Sequence, residues 1–138
     1  MIKTLIYFNT KRLLIAAIFT VTLIFLTHLP EQVVPEKLRL GGFDKLAHIL
    51  AYGAITFLFI FSLRASLNLL IGSFILLGIL VIAAFDELTQ PLVNRTASLA
   101  DWLADIAGIC VVIAFKTWKS SSIRRQAKTK NQTIISED

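Results

Sequence analysis

The reading of the chain turns on Asp86-Glu87-Leu88-Thr89-Gln90, continued through Arg95, Ser98, Asp101 and Asp105 to Gly108. This stretch joins the end of one apolar run to the start of the next. It sets acidic groups and an arginine into a chain that is otherwise largely aliphatic. Charged groups at the mouth of a membrane helix are costly to keep, so a cluster of them there needs a reason.

The surrounding composition is that of an integral membrane protein. Of the 138 residues, 56% are hydrophobic and 17% charged, and the mean hydropathy is +0.74. That length holds one domain and about four spans of roughly 20 residues each.

Upstream of Asp86, the run from Ala65 to Phe85 is uncharged and contains Gly72 and Gly78, small residues that allow close helix packing in a bilayer. Before it, Leu46 to Leu63 is interrupted only by His48 and Tyr52 and is closed by the short turn Arg64-Ala65-Ser66. The first run, Leu13 to Pro30, ends in Leu26-Thr27-His28-Leu29-Pro30. That ending lacks a small-residue cleavage pattern, so the run reads as an uncleaved span. His28 reads as a polar tip at the membrane interface. Pro30, Pro35 and Gly41-Gly42 mark an extended loop.

Downstream, only ten residues separate Asp105 from Lys116. They cover about 15 Å as helix, half of a ~30 Å hydrocarbon core. To span, this helix must begin near Ser98 and carry Asp101 and Asp105 into the membrane, with Trp102 and Trp118 as interfacial anchors. The single cysteine, Cys110, cannot pair within the chain and reads as a small apolar filler. The expectation is an all-α, four-helix membrane domain over residues 1–118. A basic tail over 119–138 should be disordered or loosely held on anionic lipid.

Orientation follows from the basic residues. Lys3, Lys11, Arg12, Arg64, Lys116, Lys119, Arg124, Arg125, Lys128 and Lys130 fall on the side of the termini, against Lys37, Arg39, Lys45 and Arg95 on the other. The positive-inside rule then puts both termini in the cytoplasm and the polar stretch at the outer face.

Helical spacing gathers the polar residues into stripes. Asp44, His48 and Tyr52 step by four and spread over only about 80° of helix. Asp86 and Gln90 form a similar pair if their helix continues, and Ser98, Asp101, Asp105 and Gly108 share another arc. Lipid cannot satisfy these groups, so they should face one another. The expected ligand site is therefore Asp44, Lys45, His48, Tyr52, Asp86, Glu87, Gln90, Arg95, Ser98, Asp101 and Asp105. Taken singly, each could be interhelical glue. Taken together, five carboxylates face Lys45 and Arg95, an excess that invites a cation, a cationic ligand group or raised carboxylate pKa values.

Asp, Glu and His suit divalent metals, but no HxxxH or HExxH spacing exists, and neither a metal nor a cofactor is assigned. Ser98, His48 and Asp101 could be drawn as a triad, yet residue types without geometry assign no nucleophile. Nothing points to nucleic acid.

At Asp44-Lys45-Leu46-Ala47-His48 with Tyr52, Asp86-Glu87-Leu88-Thr89-Gln90, and Arg95, Ser98, Asp101 and Gly108, the chain resembles the VanZ-like family of small bacterial membrane proteins. The resemblance covers roughly Pro30 to Gly108. The chain departs from the family pattern at Asp105, where Asn is common, and at Val112, where Gly is common. The family's founding member is associated with low-level teicoplanin resistance, so the resemblance implies a cell-envelope role in the bacterial inner membrane. The expected function is an outward-facing site that binds or processes a lipid-linked or surface glycopolymer headgroup, with an effect on glycopeptide susceptibility. The partners would be membrane lipid, a lipid-linked precursor, or a second copy. Two alternatives stay open: a small ion- or proton-coupled transporter using Asp105, and a non-catalytic assembly partner of envelope proteins.

Overall fold

The computed structural model describes residues 8–30, 33, 42–64 and 69–137; for Leu69, Arg124 and residues 127–137 it describes the backbone alone. The expected loop around Pro35 and Gly41 and the turn at Ala65-Ser66 lie outside the described residues.

The chain is helical throughout the described residues: α1 (Thr10–Thr27), α2 (Phe43–Ser62), α3 (Leu69–Thr89), a 3-10 turn (Gln90–Val93) and α4 (Leu99–Glu137). Local sequence sets each start. Asn9 caps α1 by accepting from the Arg12 amide at 3.2 Å. Gly42 precedes α2 with φ +82°, a left-handed conformation that glycine adopts without penalty. Ser98 caps α4, accepting from the Asp101 amide at 3.3 Å. Asp44 and Asp101 stand in the first turns of α2 and α4, where the helix dipole favours a negative charge.

Successive helices run antiparallel. At one end the Asn9 amide donates to the Ser62 carbonyl at 2.8 Å, and Arg12 lies over the Phe61 ring at 4.1 Å. α2 is the central element, packed against α1, α3 and α4, while α4 also packs on α3. Tyr52, Ile55, Ile79, Ala83 and Ile109 form the main core. The remaining faces are apolar and exposed, as at Leu14, Ile18, Val21, Phe25, Phe74 and Leu77. A soluble protein would not leave so much apolar surface bare.

Three helical segments are long and apolar enough to cross a membrane: Thr10–Thr27, Phe43–Ser62 and Leu70–Val93. These are consistent with a multi-pass membrane protein. α4 falls outside that set; Asp101 and Asp105 occupy its first two turns and Lys116 follows. It is nevertheless the longest helix, with 39 residues and a length of about 58 Å.

Three local expectations are corrected. The segment after Trp118 continues α4 as helix to Glu137, since no Gly or Pro interrupts the chain beyond Gly108. Gly78 is exposed and a Cβ there would meet open space, so it does not bring helices together; Gly53 and Gly108 do. Trp102 packs against the core with its indole N–H buried, whereas Trp118 is exposed.

Candidate functional site

One end of the bundle collects the C-terminal ends of α1 and α3 and the N-terminal ends of α2 and α4. Every predicted site residue lies at this end, but they form three neighbouring groups.

The first group centres on Asp86, which is fully buried. The Thr27 hydroxyl donates to Asp86 Oδ1 at 2.7 Å and the Tyr52 hydroxyl to Oδ2 at 3.1 Å. His28 Nδ1 lies 3.3 Å from Oδ1, and His28 Nε2 lies 2.9 Å from the Thr89 hydroxyl. Asp86 thus ties α3 to α1 and α2. Thr27 and His28 are the participants that the sequence reading left out of the site. A hydroxyl and an imidazole ending an apolar run, close to Pro30, were the available signal.

The second group is His48 with Asp105. His48 Nδ1 lies 2.8 Å from Asp105 Oδ1, and both side chains are buried. Asp105 Oδ2 is buried with no hydrogen-bond partner among the described residues. Lys45 stands at the rim, 2.9 Å from Asp44 and 3.4 Å from Asp101.

The third group holds the approach to α4. Gln90 Nε2 donates to Glu87 Oε1 at 3.1 Å, and the Ser98 amide donates to Glu87 Oε2 at 2.9 Å. Gln90 therefore serves Glu87, not Asp86 as its i, i+4 spacing suggested. Ser98 spends its hydroxyl as a cap, so the triad drawing with His48 and Asp101 gains no support.

Arg95 pairs with backbone and not with Asp86 or Asp101 among the described residues. Its Nη1 donates to the Thr27 carbonyl at 2.7 Å, satisfying a carbonyl in the last turn of α1. Among the described residues it makes no ion pair.

A cavity of about 410 Å³ opens between α1 and α2. Its polar end carries Asp44, His48, Tyr52, Asp86 and Arg95, and its walls include Leu23, Leu26 and Phe43. Lys45, Glu87, Gln90, Ser98, Asp101 and Asp105 do not line it. The space therefore joins a mixed-charge polar floor to a lipid-like wall. Searches of known protein families, of curated proteins and of solved structures return no match to this chain.

Proposed function

We propose that this is a cell-envelope membrane protein of VanZ-like type, whose cavity binds the headgroup of a lipid-linked glycan precursor at the outer face. In this reading α4 is a fourth span, both termini are cytoplasmic, and the polar end faces outward. The observation that carries the proposal is the composition of the cavity. Arg95, free of a carboxylate partner among the described residues, offers a planar fork to a phosphate oxygen. Asp44 and Asp86 offer acceptors to sugar hydroxyls, and Leu23, Leu26 and Phe43 offer a surface to the lipid chain.

The test is thermal stabilisation of the purified protein in detergent by a polyprenyl-diphosphate sugar, with a neutral glycolipid as control. Arg95→Lys should keep the unliganded melting temperature within a few degrees and lose the ligand-induced rise. A point charge can still reach the Thr27 carbonyl but cannot make a bidentate contact. Equal stabilisation of both proteins, or none of the wild type, overturns the reading. In cells, the same variant should reproduce the glycopeptide-susceptibility phenotype of a deletion.

The proton-coupled alternative has its own support in the buried, half-unpartnered Asp105 carboxyl. It calls for flux in proteoliposomes that Asp105→Asn removes.

A further inference from the structure

We infer that His48, Glu87 and Asp101 form a binding site for a divalent first-row transition ion, beside the cavity and between α2, α3 and α4. One ligand atom from each residue lies within 4.8 Å of the other two. An ion placed among them could reach all three at ordinary metal–ligand lengths of about 2.0–2.2 Å with small side-chain adjustments. One neutral imidazole and two carboxylates also balance a charge of +2.

The geometry around His48 is an independent pointer. Its Nδ1 is 2.8 Å from Asp105 Oδ1, and Asp105 is fully buried. A carboxylate that receives the Nδ1 proton fixes the tautomer, turns the ring and leaves Nε2 as a lone-pair donor, the arrangement that supports metal-bound histidines. His48 is only 8% exposed, and no hydrogen bond among the described residues engages Nε2. With Nδ1 turned to Asp105, the Nε2 lone pair is an acceptor left for a cation. Asp101 Oδ1 is buried and makes no hydrogen bond among the described residues; its charged neighbour is the Lys45 ammonium at 3.4 Å.

Glu87 is held in place by Gln90 and the Ser98 amide, each using one oxygen and leaving further lone pairs free. Lys45 is the resident competitor, 3.4 Å from Asp101. It is also half-exposed and 2.9 Å from Asp44, so its flexible stem can withdraw without leaving the ammonium unpaired. A nitrogen-and-oxygen donor set suits Zn²⁺ or Mn²⁺ better than Mg²⁺. The inference stands apart from the headgroup reading, because its test contains no lipid ligand.

The full chain, purified in detergent and stripped with chelator, is titrated with MnCl₂ alone and followed by electron paramagnetic resonance. The expected result is one tightly held Mn²⁺ per chain with hyperfine coupling to a single imidazole nitrogen. The chain has two histidines, so His28→Gln should keep that coupling and His48→Gln should remove it. Glu87→Gln should weaken binding by roughly tenfold or more, a scale typical of lost metal-site support. Lys45→Gln should tighten it. Wild-type protein that retains no Mn²⁺, or holds it without nitrogen coupling, overturns the inference without recourse to any variant. Coupling that survives in folded His48→Gln overturns it equally.

Discussion

Gly108 of α4 sits so close to the Ile49 carbonyl of α2 that a Cβ on it has no room. The same Cβ would lie 3.1 Å from the Gly53 amide nitrogen, so two backbones meet here without side chains between them. Ile49 follows His48, and Gly108 lies one helical turn beyond Asp105. The backbone contact therefore sets the distance at which the buried imidazole and carboxyl meet.

Gly108→Ala should separate α2 from α4 and lower stability by about 1–3 kcal/mol, the usual scale of overpacking. Gly78→Ala, where a Cβ meets open space, should be neutral or gain up to about 1 kcal/mol from helix propensity. Unfolding in detergent measures both. Equal effects would mean that the α2–α4 crossing is not tight.

Removing His48 leaves Asp105 with neither oxygen paired. With chelator present to exclude metal, His48→Leu should cost on the order of 3 kcal/mol, the scale for breaking a buried pair. Asp105→Asn should cost less, because the amide oxygen still accepts from the ring. The double change to two leucines should recover part of the loss. A double-mutant cycle that comes out additive would sever the two residues energetically.

Cys110 reports on the fourth span. It is exposed on α4, eleven residues after the helix starts at Leu99. That places it about 16 Å along the axis, near the middle of a ~30 Å hydrocarbon layer if α4 crosses. A water-soluble maleimide should leave it unmodified in intact membranes and label it after solubilisation in sodium dodecyl sulfate. Prompt labelling in intact membranes would take α4 out of the bilayer.

Orientation is checked by reporter fusions after Asp138 and within the Pro30–Gly41 loop. The basic-residue asymmetry predicts a cytoplasm-active reporter at Asp138 and a periplasm-active one in the loop. The reverse pattern would turn the cavity towards the cytoplasm.

Much of the arrangement of these polar residues was legible because helical period carries across helices. The four-residue steps from Asp44 to His48 to Tyr52 put His48 opposite Asp105 and Tyr52 opposite Asp86, and the start of α4 at Leu99 follows from the ten-residue apolar gap. What escaped has a common cause. Arg95 pairs with a backbone carbonyl, an acceptor that every residue carries and no residue type announces. Thr27 joins Asp86 across 59 positions of chain, through an approach of α1 that its own uniform apolar run does not specify. Gly53 and Gly78 look alike in sequence, and only the crossing of two axes separates them. The His48, Glu87 and Asp101 grouping draws on three helices, so no local spacing could mark it.

The pairing of His48 with Asp105 also bears on how the protein is made. On the four-span reading, α4 enters the membrane carrying two aspartates in its first two turns, a segment that an isolated bilayer would refuse at a few kcal/mol per acid. The groups that receive those acids, His48 and Lys45, belong to a helix synthesised earlier. α2 then acts as an internal template for the insertion of α4. A ribosome-bound chain lacking His48 and Lys45 should leave α4 stranded at the surface, and the polar end of the bundle should be completed only as the last helix arrives.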